Sequence, residues 1–66
     1  MTWDELKQKA LEMGGYIFYD EIEYIVLGYM SFYADRTIMY RGYGYPIAIA
    51  TERSPDQMWQ IMEALK

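Results

Sequence analysis

The chain has 66 residues, no cysteine, no histidine and a formal net charge of −4. No cysteine means no disulfide framework and no thiolate zinc site, and no histidine removes the commonest metal ligand and general base. The negative balance argues against a nonspecific grip on a phosphate backbone. At 53% hydrophobic residues the chain is not a disordered segment and reads as one domain, 1–66.

A domain this small buries only about 60% of its unfolded surface, and such scaffolds usually add a disulfide, a metal or a partner chain. Of these staples, the composition leaves oligomerisation open. The N-terminus is amphipathic and acidic, without the basic start and apolar core of a signal peptide. The longest unbroken apolar stretch, Tyr24 to Leu27, is far short of the ~20 residues of a membrane helix. The expectation is a soluble, cytoplasmic protein with no cofactor.

"TWDELKQKALEMGG" opens the chain with a helix. Thr2 caps it and Glu5 stands three places on, a capping box. Trp3, Leu6, Ala10 and Met13 fall on one stripe at helical spacing. Gly14 and Gly15 end it, because glycine takes a left-handed cap without penalty.

Strand-like sequence follows. "YIFY" (16–19) is a short strand and "DE" (20–21) a tight turn. "EYIVLGYMSFY" (23–33) is long for one strand, and Gly28 marks a bulge or bend in it. "AD" (34–35) turns the chain, "RTIMYR" (36–41) alternates polar and apolar residues, and "GYG" (42–44) turns again. "YPIAIAT" (45–51) is the last strand, beginning at an edge or at its first residue because Pro46 cannot donate to a ladder. "SPDQMWQIMEALK" closes with a second helix: Ser54 caps, Pro55 takes the first helical position and Gln57 completes a capping box. Met58, Ile61, Met62 and Leu65 form its apolar stripe, with Trp59 on the flank.

The fold class predicted is α+β: an N-terminal helix, a three- to four-stranded antiparallel meander and a C-terminal helix, with both helices on one face of the sheet. Two helices of about a dozen residues span about 20 Å side by side, as do four strands at about 4.8 Å spacing. They cover one face and no more. The uncovered face should be polar, yet the middle strands are apolar or aromatic on both sides. Read as one continuous strand, 23–33 puts Tyr24, Val26, Met30 and Phe32 on one face, and Glu23, Ile25, Leu27, Tyr29, Ser31 and Tyr33 on the other. In the last strand Tyr45, Ile47 and Ile49 oppose Ala48 and Ala50.

An exposed patch of that kind marks an interaction site, and tyrosine suits it with a large ring and a polar tip. The competing explanation is that tyrosine is a good strand former whose hydroxyl sits comfortably in water. The residues expected to touch a partner are Tyr29, Tyr33, Tyr40, Tyr43 and Tyr45, with Arg36 and Arg41 at the rim.

No catalytic constellation accompanies them. Asp20, Glu21 and Glu23 lack the alternating oxygens, central glycine and distant glutamate of a calcium loop, and read as a solvated turn. Arg36, Arg41 and Arg53 stand among aromatics and could hold a base and its phosphate, against the simpler reading of cross-strand pairing with Asp35, Glu23 or Glu52. The ribonucleoprotein motif is absent. Ser31 and Ser54 have no histidine to activate them, and "GYGYP" is a turn rather than a phosphate loop.

"TWDELKQKALEMG" at the start and "IAIATERSPDQMWQIMEALK" at the end resemble short open reading frames of phages and prophages of Gram-positive bacteria. The resemblance implies an accessory phage protein that binds and inhibits a host protein such as a defence enzyme. From size, apolar patterning and charge, separately, a dimer is the favoured state and no membrane or direct nucleic-acid contact is expected. Three other readings stand beside it: a nucleotide-binding sponge, an acidic nucleic-acid mimic and a structural phage subunit.

Overall fold

The computed structural model describes residues 1–42 and 44–65. Helix α1 (Trp3–Glu12) is followed by β1 (Tyr16–Asp20), β2 (Ile22–Leu27), β3 (Met30–Tyr33), β4 (Ile38–Tyr40) and β5 (Ile47–Ala50), and helix α2 (Pro55–Ala64) ends the chain. The strands form one antiparallel sheet in the order β1-β2-β3-β4-β5. The molecule's shortest dimension is 19 Å, the thickness of one helix layer on one sheet.

Local chemistry starts both helices. Thr2 Oγ1 accepts from the Glu5 backbone N–H at 3.1 Å, and the Thr2 N–H donates to Glu5 Oε1 at 2.9 Å. Ser54 and Gln57 repeat the exchange at 3.2 and 2.8 Å, with Pro55 at the first helical position. Each box satisfies two N–H groups that a helix start leaves without partners. The N-terminal ammonium reaches Asp56 at 3.2 Å and ties the two helix starts together.

The helices pack on the same face. Leu6 and Ala10 of α1 and Met58 and Met62 of α2 form one core with Ile25, Phe32 and Ile38, and all seven are buried. Ile25 pairs with Phe32 and Phe32 with Ile38, so the three strand residues share one side of the sheet. At the end of α1, a Cβ on Gly15 would stand 2.9 Å from the Ala10 carbonyl oxygen and 3.2 Å from that of Val26. Only glycine permits so close an approach of helix to strand.

The sheet has five strands rather than three or four. The stretch 23–33 is not one strand with a bend: Gly28 and Tyr29 make a two-residue turn between Leu27 and Met30, which pair. Gly28 has φ +61° while Tyr29 stays out of the left-handed region, the pattern of a type II′ hairpin. This turn overturns the expected face sets. A two-residue turn returns paired residues on the same side, so Ile25, Leu27, Met30 and Phe32 face the helices, and Tyr24, Val26, Ser31 and Tyr33 face away.

The expected strand 36–41 shrinks to three residues because the preceding turn extends to Thr37. Arg36 takes φ +77°, the Tyr33 N–H donates to the Thr37 carbonyl at 2.9 Å, and the Thr37 N–H donates to Asp35 Oδ1 at 3.0 Å. In β5 the simple alternation also fails. Ile38 pairs with Ala50 and Met39 with Ala48, which leaves Ile49 as an extra residue in a bulge. The turn foreseen at 42–44 includes Tyr43, which lies outside the described residues.

Candidate functional site

The side of the sheet away from the helices carries the chain's most distinctive arrangement. Phe18 on β1, Tyr24 on β2 and Tyr33 on β3 are direct cross-strand neighbours. Their rings stack: the Phe18 and Tyr24 centroids lie 5.7 Å apart at 25°, those of Tyr24 and Tyr33 4.8 Å apart at 17°. Tyr16, two residues before Phe18, adds a tilted ring at 6.4 Å. Strand alternation adds Ile22, Val26, Ser31, Met39 and Ala48 to this face. Among the strand residues on it, Asp20 at one corner is the sole charge.

A shallow groove of about 390 Å³ runs along this face. The ring row lines it, and Tyr29, Arg41 and Pro46 line it at the end of the sheet where β2 turns into β3. The Arg41 N–H donates to the Tyr29 carbonyl at 2.8 Å, which fixes that end.

The structure therefore brings together Tyr29, Tyr33 and Arg41 of the residues singled out from sequence. Tyr40 belongs elsewhere: it pairs with Met30, which packs against the core, so its ring lies on the helix side. Arg36 sits in the β3–β4 turn, at the end of β3 opposite Tyr29. Tyr45 is highly exposed in the connection to β5, and Tyr43 lies outside the described residues. Tyr16, Phe18 and Tyr24 were missed. Reading Gly28–Tyr29 as a two-residue turn would have set Tyr33 beside Tyr24; Phe18 joins them only through the β1–β2 register, in which it pairs with Tyr24 and not with Glu23, as a two-residue turn at 20–21 would have it.

Two charge expectations also change. Among the described residues no arginine makes an ion pair; Arg53 instead donates from Nη1 to the Thr51 carbonyl at 3.2 Å. Glu23 is not part of a solvated acidic turn. It faces the helices, where its Oε1 accepts from Trp3 Nε1 at 2.8 Å and from Lys7 Nζ at 2.9 Å. The Trp3 hydrogen bond first, and then Lys7, holds the Glu23 carboxyl below its ordinary pKa. Glu23, with Asp4 behind it, holds the Lys7 ammonium above its ordinary value.

On the helix side, a second, more open cleft of about 810 Å³ lies where the ends of α1 and α2 meet the β2–β3 turn. Met13, Leu27, Tyr40 and Trp59 line it, and Lys9 stands 5.0 Å from the centre of the Trp59 ring. Trp59, on the flank of its helical stripe, turns its ring into this cleft's wall.

Among the described residues no helix is long and apolar enough to cross a membrane, and no group of three or more His, Cys, Asp or Glu is placed to hold a metal ion. Comparison with protein families, with curated proteins and with solved structures gives no match.

Proposed function

We propose that this chain is a non-enzymatic, self-associating interaction module that binds a protein partner through its open aromatic sheet face. The supporting observation is the face itself: a nearly uncharged sheet surface with the stacked row Phe18–Tyr24–Tyr33, left bare because both helices pack on the other side. Interface centres are depleted of charge and enriched in aromatic residues. The resemblance of the terminal segments to short phage proteins makes the partner a host protein, a defence enzyme among the candidates, that is inhibited by occlusion in the cytoplasm.

The test is capture from a Gram-positive host lysate followed by reconstitution with the purified partner. Wild type and Tyr40→Ser retain the partner, while Tyr24→Thr and Tyr33→Ser lose it. Equal retention by all four would remove the open face from the reading.

A second reading draws on the groove, which Arg41 and Tyr29 line at one end and Tyr33 towards the other. A planar base with a phosphate would fit that chemistry, as in a nucleotide sponge. Thermal shift with a panel of linear and cyclic nucleotides separates the two, because the protein-binding module shows no shift with any of them. A nucleic-acid mimic finds less support, since Asp20 at one corner is the one strand acid on this face. A structural phage subunit would instead co-purify with virions.

A further inference from the structure

Deepening the self-association in that reading and resting on it, we propose that two copies pair edge to edge through β1, antiparallel about a two-fold axis at Phe18. β1 and β5 are the terminal strands of the sheet, so each has one backbone edge with no neighbouring strand. The two edges are not alike. β5 has four residues, follows Pro46 and is bulged against β4, and each of these features blunts an edge against pairing. β1 has five residues in unbroken register with β2, and contains neither proline nor bulge.

The sequence of β1 complements itself. Placing Phe18 opposite Phe18 of the second copy sets Tyr16 opposite Asp20, and Ile17 opposite Tyr19, in each direction. All partners then share a face, as an antiparallel ladder requires. Asp20 meets a tyrosine hydroxyl, which can donate to its carboxylate, and not another carboxylate. Ile17 meets an aromatic ring on the helix side. On the open side the row Tyr33–Tyr24–Phe18 runs on across the axis into Phe18–Tyr24–Tyr33 of the second copy, which makes one six-ring ladder.

The surface on offer fits a weak dimer. Tyr16 is 66% exposed, Phe18 47% and Tyr19 77%. Leu11, also 47% exposed, lies on the flank of α1 opposite Lys9 and Trp59, and α1 rides over β1 and β2. With α1 between those two strands, the two-fold leaves about 10 Å between α1 and its mate, close to helix packing distance. The four side chains expose on the order of 500 Å² per protomer, against about 1,000 Å² in total for the smallest specific interfaces. The pairing is therefore reversible and concentration-dependent, and salt strengthens it by screening two chains of net charge −4.

Sedimentation equilibrium over micromolar to millimolar concentrations should show a monomer–dimer system. Tyr19→Lys and Leu11→Lys, both off the open face, weaken it by at least about tenfold, since each change enters a two-fold interface twice. They leave partner capture through Tyr24 and Tyr33 intact, so edge and face can fail separately. The register has its own readout. The chain has no cysteine, and antiparallel partners stand about 4.5–5.5 Å apart, within reach of a disulfide. Under oxidised glutathione, Phe18→Cys forms a covalent dimer, while Tyr16→Cys, about 13 Å from its own mate, does not. A monomer at all concentrations overturns the proposal. So do a dimer indifferent to Tyr19→Lys and Leu11→Lys, a dimer dissolved by Tyr33→Ser, open-ended assemblies, or cross-linking of Tyr16→Cys as fast as Phe18→Cys.

Discussion

Replacing Tyr24 by threonine tests whether the aromatic row is surface or core. Tyr24 is the middle ring and stacks on Phe18 and Tyr33. Threonine, like tyrosine, is a good strand former, so the loss falls on the two ring contacts. Cross-strand aromatic pairs contribute about 0.2–1 kcal/mol each, up to about 1.5 where stacking is good. The substitution should cost about 1–2 kcal/mol. A 66-residue domain holds roughly 3–10 kcal/mol in all, so the variant stays folded and its Tm drops by roughly 4–16 °C. Phe32→Ala removes a fully buried ring from the opposite side and should cost about 3–5 kcal/mol, most of what the domain has. Urea unfolding followed by circular dichroism measures both. A double-mutant cycle of Tyr24 and Tyr33 should return a coupling of about 0.5–1.5 kcal/mol. If Tyr24→Thr costs as much as Phe32→Ala, the open face is a second core and the one-sided cover argument is wrong.

Other substitutions probe the frame. The depressed pKa of Glu23 means that its stabilisation is complete above the ordinary carboxylate range and lost as pH falls through the lowered value. The Tm gap between wild type and Glu23→Gln should therefore be largest near neutrality and close below about pH 4; a gap that widens in acid would contradict the Trp3–Glu23–Lys7 clasp. Gly28→Val meets open space but must hold φ +61°, so it should lose about 1–2 kcal/mol in urea unfolding through backbone strain alone. Ser54→Ala removes the α2 cap and should lose about 1 kcal/mol by the same measurement, with Ser54→Gly losing only a few tenths.

The helices were legible because their signals are local. Thr2 with Glu5, and Ser54 with Pro55 and Gln57, mark their starts within four residues, and the stripe Trp3, Leu6, Ala10 and Met13 points at the core that forms. The sheet was legible in kind and misread in register. A glycine inside an apolar strand pattern signals either a bulge or a turn, and the run from Tyr24 to Met30, with no charged or strongly turn-forming residue beside Gly28, favoured the wrong choice. One such slip moves every later side chain to the other face, which is why Met30 and Phe32 were grouped with Tyr24 instead of with Ile25. The same limit applies at Ile49, where a bulge interrupts alternation without any glycine to announce it. Tyr40 was a foreseeable error, since strand periodicity ties it to Ile38, which is the most apolar residue of its strand and sits in the core. Glu23 was not foreseeable, because its partners Trp3 and Lys7 lie 20 and 16 positions away in the chain.

What the fold demands of the open face is modest. All seven buried side chains lie on the helix side or in the helices, so packing sets no requirement on Tyr24, Tyr33 or Phe18 beyond a tendency to extend. Valine or threonine would meet that tendency and keep the surface less sticky. The stacking contributes about 1–2 kcal/mol of its own, a fraction of what even so small a chain holds in all. Against it stands the hazard of a bare aromatic face next to an unblunted β1 edge, the arrangement through which strands from different molecules pair unintentionally. A sequence that spends two capping boxes on its helices and guards β5 with Pro46 and a bulge, yet leaves β1 regular and aromatic, has kept one edge and one face open to contact. The two meet at Phe18, so a partner on the face and a second copy on the edge would share a continuous surface.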